Sequence, residues 1–381
     1  MTDEVIAPAG DHVDDAAGRE RSTRLRSGGS LAPTSRRARG TMTGRSGRPP
    51  TLDEVAERAG VSRSAASRTI NNAGNVSPAT RRAVERAVRE LGYVPNVTAQ
   101  ALARQRVGAV VLAASHDNPD LLGDPFIGQV IVGVTTALEN TELDLKLLLC
   151  HPDRGHDRVR RMLRRPRADG VMVMALRGDD PLQRMVEESG LPAVFGGRPL
   201  HGQPELFVDV DNRGGGRTAA EHLVRLGRRR IATIAGPVDS HAAVARLEGV
   251  TDALSVANLD PTLVERADFT RDGGARAMER LLERAPDLDA VTVASDNMAV
   301  GALHTLALHG RRVPEDVAVV GYDDLPIAEL SHPALTTVQQ PIRSLGHEMA
   351  RVLLALVDGE SPSSLLLPTR LVVRETAPQP A

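Results

Sequence analysis

Residues 51–102 read TLDEVAERAGVSRSAASRTINNAGNVSPATRRAVERAVRELGYVPNVTAQAL. Three short helical patterns stand in this run, with an abrupt turn between the first two. Thr51 and Glu54 form a T-x-x-E capping box, and Leu52, Val55, Ala56 and Ala59 then supply one apolar face. Gly60 suits a left-handed turn, and Val61 is placed to plug that turn into the core. Ser62 caps a second helix reaching to about Ile70, whose small residues Ala65 and Ala66 allow close packing on the first. Ser77-Pro78 opens a third helix with a cap and a first-turn proline, and Val84, Ala87, Val88 and Leu91 make its buried stripe. A short basic helix after a tight turn is the grammar of a helix-turn-helix DNA reader. Thr51, Ser62, Arg63, Ser64, Ser67, Arg68 and Asn71 are therefore the candidate DNA contacts. An arginine paired with a guanine edge is worth about 1–3 kcal/mol of discrimination. The bland reading is a solvated basic helix face, and the full cap-turn-cap order weighs against it.

The charge distribution agrees. The formal net charge is −2, yet residues 16–48 carry nine Arg against Glu20 alone, and residues 48–104 carry nine Arg against five acids. A basic N-terminal third on an acidic remainder points to a polyanion partner at one end only. Residues 1–47 are rich in Gly, Ser, Arg, Thr and Pro without hydrophobic period, and read as disordered. Their basic stretch SRRARGTMTGRSGR fits either non-specific attraction to DNA or a plain solvated extension.

At 381 residues and 41% hydrophobic content, the chain has room for two or three domains with a substantial core. Aromatics are 2% and Trp is absent, so a ligand site has few stacking rings to draw on. Cys150, the single cysteine, sits in the apolar run LDLKLLLC, which excludes an intrachain disulfide framework and favours a reducing compartment. No apolar run approaches a membrane span, and the first 30 residues lack a signal peptide's apolar region. A cytoplasmic protein without a membrane partner is expected.

From Val107 the pattern changes to apolar runs alternating with helical segments. GAVVLAA, LDLKLLLC, GVMVMAL, LPAVFG and ELFVDV form one series of buried strands, and RIATIAG, DAVTVAS and DVAVVGYDD form a second. Alternation of this kind predicts an α/β fold with parallel sheets wound by crossovers. Two series predict two lobes, with a ligand cleft beyond the strand C-termini.

The headpiece stretch and the body together resemble the lactose-repressor/galactose-repressor family of bacterial transcription regulators. The matches are TLDEVAERAGVS, SRTIN, VSPATR and ELGYVPNVTAQALA. Further along come VDNRGGGRTAAEHLVRLGRRRIATIAGP, RLEGV, ASDNMAVGAL, VAVVGYDDLPIAEL and TTVQQP. The resemblance implies a three-helix headpiece over 48–95 and a hinge helix over 96–106. A two-lobed periplasmic-binding-protein-like (type I) body follows over 107–376, with lobe crossovers near 210 and 340 and a tail over 377–381. It implies homodimers that bind a pseudo-palindromic operator in double-stranded DNA. Leu102, with Ala99 beside it, would wedge into the minor groove at the operator's centre, as apolar residues that kink DNA do; Tyr93 and Asn96 complete the DNA set. A larger apolar residue is more usual at Ala66.

For the cleft, the same resemblance implies a small effector, often a sugar or nucleobase. Phe126 and Phe269 match ring positions, Asp323 of GYDD matches a holder of ligand hydroxyls, and Arg246 and Arg198 are further candidates. Ser295 stands where the family's A-N-D-x-M-A has Asn, and Val244 where sugar-responsive members often carry Arg. Either effector class, and either induction or co-repression, is compatible with these residues. A non-DNA-binding solute receptor and an α/β enzyme are the competing classes. The first is opposed by the attached helix-turn-helix, the second by the lack of a nucleophile–base arrangement. No cofactor is expected. No metal is expected either, since no His or Cys cluster accompanies Asp323-Asp324. Gly214-Gly215-Gly216 lacks phosphate-loop spacing and reads as helix packing. With no C-terminal leucine heptads, a dimer is expected rather than a tetramer.

Overall fold

The structure, a computed structural model, describes residues 48, 50–70, 76–93, 106–115, 124–151, 155–164, 167–174, 176–202 and 204–379. It divides into two units, residues 1–94 and 95–381, each described by itself below.

The first unit holds α1 (Leu52–Ala59), α2 (Arg63–Ile70) and α3 (Pro78–Leu91). The capping box forms: Glu54 N donates to Thr51 Oγ1 at 3.4 Å, and Thr51 N donates to Glu54 Oε2 at 2.7 Å. Gly60 ends α1 at φ 66°, in the left-handed region that costs a glycine nothing. Ser62 Oγ accepts from Ala65 N at 3.2 Å, and Ser77 Oγ from Thr80 N at 3.2 Å. Val55, Ala56, Ala66, Val84 and Ala87 make the buried centre, with Leu52, Val61, Val88 and Leu91 packed around it. Ala66 is fully buried there, so the small residue is enclosed by the packing of α2 on its neighbours.

In the second unit, one sheet is built from β1 (Ala109–Ser115), β2 (Asp144–Cys150), β3 (Gly170–Met174), β4 (Ala193–Gly196), β5 (Phe207–Val210) and β11 (Leu365–Leu367). Its order is β11-β5-β4-β3-β1-β2, and every pairing is parallel. The helices α4 (Pro125–Leu138), α5 (His156–Met162) and α6 (Pro181–Ser189) belong to this lobe.

The other sheet holds β6 (Ile231–Ala235), β7 (Val264–Arg266), β8 (Ala290–Val293), β9 (Ala318–Asp323), β10 (Thr336–Gln339) and β12 (Arg370–Val372), in the order β12-β10-β9-β8-β6-β7. Only β12 runs antiparallel, along β10. Its helices are α7 (Asn212–Arg225), α8 (His241–Val256), α9 (Arg271–Arg284), α10 (Asp296–Leu308) and the short α11 (Pro326–Leu330).

The chain passes between the sheets three times: from β5 into α7, from β10 into α12 (Ile342–Val357), which returns to the first lobe, and from β11 to β12. Each sheet is covered on both faces by apolar clusters, which is why β1, β3 and β6 read as unbroken hydrophobic runs. The start of the body is pinned. Asp169 accepts from Val107 N (2.7 Å), Gly108 N (2.7 Å) and Ala109 N (3.1 Å), while Arg106 reaches Asp358 (2.8 Å) and Val357 O (2.7 Å). Among the described residues, no helix is long and apolar enough to cross a membrane.

Candidate functional site

A cavity of about 310 Å³ lies where the C-terminal ends of β1, β3, β4 and β5 face those of β8 and β9. Phe126, Arg198, Arg246, Phe269, Ser295 and Asp323 all line it. Local structure aims each of them. Asp124 caps α4 by accepting from Phe126 N at 3.0 Å, which sets that ring at the first turn. Phe269 sits at φ 67°, and its ring covers Gly236, where a Cβ would come within 2.6 Å of ring carbon Cζ. Ser295 caps α10, its hydroxyl accepting from Met298 N at 3.3 Å. Asp323 ends β9 at φ 111°, a backbone conformation that side chains disfavour and that active clefts often carry.

The polar groups form a ladder from one lobe to the other. Arg246 donates through Nη1 to Asp323 Oδ1 (3.1 Å) and to Ala294 O (2.6 Å), and through Nε to Asn212 Oδ1 (2.9 Å). Asn212 Nδ2 donates to Asp209 Oδ1 (3.1 Å), and Arg198 Nε donates to Asp209 Oδ2 (3.0 Å). Gln340 Nε2 donates to Asp323 Oδ1 at 2.6 Å. The Arg246 guanidinium also lies 3.7 Å over the Tyr322 ring. Gly215 and Gly216 make this seat possible. A Cβ on Gly215 would fall 2.3 Å from Tyr322 Oη, and one on Gly216 would fall 2.1 Å from Arg246 O. The triple glycine is thus a packing device, and Gly214 N is already taken by Asp211 Oδ1 at 2.8 Å.

Burial dominates the electrostatics. It pushes the Asp323 carboxyl up to about 6; the Arg246 charge opposes the rise and Asp124 adds to it. Asp296, wholly buried beneath, is raised well above the ordinary carboxylate range by burial and then by the Asp323 charge. Thr337 Oγ1 (2.6 Å) and Leu325 N (2.8 Å) donate to it. Each arginine that lines the cavity is paired: Arg177 with Asp239 (2.8 Å), Arg198 with Asp209 and Arg246 with Asp323.

Polar residues beyond the sequence-derived set line the same space, among them Ser115, Asp209, Asn212, His241 and Gln340. Gln340 stands directly after β10 in TTVQQP, Asn212 opens α7 two residues past β5 in VDN, and Ser115 closes β1, so strand-end position was a usable signal for them. Nothing local marks His241.

In the first unit, Ser62, Arg63, Ser64 and Arg68 are exposed on α2 and its cap, while Thr51, Ser67 and Tyr93 are half-buried. Tyr93 packs against the headpiece core. Arg63 Nε lies 3.3 Å from Asp53, and Arg68 Nε donates to Ser64 O at 3.4 Å. Asn71, Asn96, Ala99 and Leu102 lie outside the described residues.

Comparison with known proteins bears on both units. The family model "Bacterial regulatory proteins, lacI family" matches residues 51–96, and a periplasmic binding protein-like domain matches residues 220–377. The HTH-type transcriptional regulator CelR of Thermobifida fusca is 49% identical over 336 residues, covering 86% of this chain and 98% of that protein. The HTH-type transcriptional repressor CytR of Escherichia coli (strain K12) is 31% identical over 263 residues, covering 67% of this chain and 76% of its own. Among solved structures, a transcriptional regulator CelR–cellobiose complex superposes with a TM-score of 0.69 at 48% identity, covering 86% of this chain and 99% of that one. The lac repressor dimer bound to operator and the anti-inducer ONPF gives 0.74 at 31% identity, covering 87% and 100%.

Proposed function

This chain belongs to the lacI family of bacterial regulatory proteins, and on that premise we propose that it is a homodimeric repressor whose operator affinity is set by an uncharged sugar held between the lobes. The observation that carries the effector class is the charge pairing in the cavity. Its three arginines each meet a carboxylate of the chain itself, so no cation is left over for a phosphate or uronate. Phe126 and Phe269 supply flat apolar faces, and Asp323, Arg246 and the Ser295 hydroxyl supply the polar partners that a polyol needs. The likeness to the CelR–cellobiose complex supports a β-linked glucose disaccharide as the first ligand to try.

Two headpieces would read half-sites in successive major grooves through Arg63, Ser64 and Arg68 of α2, with Ser62, Ser67, Thr51 and Asn71 contributing contacts at their sides. Tyr93, Asn96, Ala99 and Leu102 would serve the hinge. The sugar acts by binding one lobe arrangement more tightly than the other.

Operator fragments selected from random DNA, followed by footprinting, test the headpiece. Arg68→Ala is expected to lose about 1–3 kcal/mol of specific affinity. Leu102→Ala is expected to lose specific affinity while salt-dependent non-specific binding persists. Cellobiose is expected to release the operator complex, and glucose 6-phosphate to leave it intact. Release by a nucleoside or a sugar phosphate, with cellobiose inert, would overturn the neutral-sugar reading.

A further inference from the structure

His241 stands at the first position of α8, in the second lobe, and lines the cavity together with Arg198 and Asp209 of the first. Its Nδ1 is sealed from solvent and has no hydrogen-bond partner among the described residues. Leaving a buried polar atom unpaired is costly, and native structures rarely do so without a reason. The groups that act on the ring place it across the cleft. Burial lowers its proton affinity and the Arg198 charge lowers it further, while Asp209 and Glu248 act in the opposite sense. A ring held neutral in this way offers one donor and one acceptor.

The facing wall is also incomplete. Arg198 gives Nε to Asp209 at 3.0 Å and lies 5.5 Å over the Phe207 ring, which fixes its plane. None of the described residues accepts from its two terminal nitrogens. Asp209 is spent within the protein, its Oδ1 accepting from Val210 N (2.8 Å) and Asn212 Nδ2 (3.1 Å). Asp209 is thus a positioning residue for Arg198, and the groups left for a ligand are the imidazole and the guanidinium tip. The sealed Nδ1 is out of a ligand's reach, so a sugar hydroxyl, which both gives and takes a hydrogen bond, would meet the imidazole at Nε2, and its neighbouring oxygens match the donors of Arg198. A carboxylate or phosphate would add a second anion beside an Arg198 charge that Asp209 already balances, and would leave the imidazole acceptor unpaired.

We propose that His241 is a specificity residue of the effector cleft, taking a hydroxyl of the sugar whose adjacent oxygens meet Arg198, so that this wall is completed only by a ligand that joins the second lobe to the first. The assignment rests on the neutral-sugar reading above and goes beyond it by naming a contact on α8 that a monotonous apolar N-terminus would lack.

Isothermal titration calorimetry of the full chain with cellobiose tests it, with unfolding midpoints of the unliganded proteins measured alongside. His241→Ala is expected to weaken binding at least tenfold, and His241→Phe, which keeps a ring but no polar atom, by a similar factor. His241→Gln, which keeps a donor and an acceptor, is expected to stay within a few-fold of the wild type. Since the ring nitrogen has no internal partner, the midpoint of the Phe variant is expected at or above that of the wild type. Binding by Ala and Phe within threefold of the wild type overturns the assignment and leaves the sugar reading standing. Absence of binding to the wild type by cellobiose, glucose, maltose and trehalose alike overturns both.

Discussion

Asp323 concentrates the chemistry of the cleft in one residue. It is buried, strained at φ 111° and tied to Arg246 and Gln340 through Oδ1, which leaves Oδ2 for the cavity it lines. Its carboxyl, normally near 3.8, is pushed up to about 6 by burial, against the pull of Arg246. A folded-state value above the unfolded one means that the folded chain holds the proton over a window where the unfolded chain has released it. The contribution to stability is therefore fully present below about pH 4 and is lost as pH rises through about 6. Asp296, raised for the same reason, acts in the same direction. The unfolding midpoint of Asp323→Asn, measured relative to wild type, is thus expected to rise between about pH 4 and 6 and to level off above that. A flat difference would mean that the site does not titrate there. Sugar affinity should move the other way. A charged acceptor is worth about 1.5–3 kcal/mol, so the Asn variant is expected to bind about 10- to 100-fold more weakly at pH 7.5, and the gap should narrow below pH 6. Residues of this kind were legible because they sit in recognisable motifs, at strand ends in GYDD and ASDN and within a helix in RLEG. His241 and Asp209 were not, because their meaning comes from facing each other across a cleft that no local spacing records.

At the scale of elements, α12 joins the two ends of the regulatory problem. Gln340, just before it, donates to Asp323 in the cavity, and Leu345 in its second turn lines the same space. Its far end presents Val357 O and Asp358 to Arg106, the first described residue after the linker. Sixteen helical residues span about 24 Å. The helix is seated closely on α4: a Cβ on Gly346 would fall 2.2 Å from Val130 O, and one on Gly133 would fall 2.0 Å from Arg343 O. A rod packed backbone to backbone moves with its lobe and does not bend within it. Arg106→Ala is therefore expected to leave sugar affinity within about twofold, since the lost pair is exposed and worth under about 1 kcal/mol. The effector-induced drop in operator affinity is expected to shrink at least threefold, as read by anisotropy titrations with and without sugar. Full coupling in that variant would remove α12 from the route. The sequence pattern announced the apolar strands of both lobes but not β7, β10, β11 or β12. β7, β11 and β12 have three residues each, too few to show a period, β10 reads TTVQ and carries a single aliphatic residue, and β11 lies far along the chain from the β5 it joins.

For the whole molecule, the question is what holds the lobes in the arrangement that the proposed sugar would select. Three chain crossings connect them, the Arg246–Asn212–Asp209 ladder adds side-chain bonds, and a separate set of contacts joins Arg177 and Gly178 to Asp239. Arg177 of the first lobe meets Asp239 of the second at 2.8 Å, and Gly178 N donates to Asp239 O at 2.8 Å. Both side chains are more than a third exposed, at 37% and 40%, so the ion pair belongs with surface pairs worth about 0.2–1 kcal/mol. It biases the lobe equilibrium without fixing it. A ligand that binds only one arrangement reports that bias directly, because its apparent affinity scales with the fraction of molecules already in it. Asp239 is a clean probe, since it stands outside the lining of the effector cavity whereas Arg177 is part of it. Asp239→Ala is expected to weaken sugar binding by up to about fivefold, the limit that follows from the energy of an exposed pair. The backbone bond from Gly178 survives the substitution and keeps the loss from growing larger. Because the pair is open to solvent, the difference between variant and wild type is expected to shrink as ionic strength rises from about 0.05 M to 0.5 M. A loss as large as that of Asp323→Asn, or one indifferent to salt, would show that Asp239 supports the cleft by a route other than this latch.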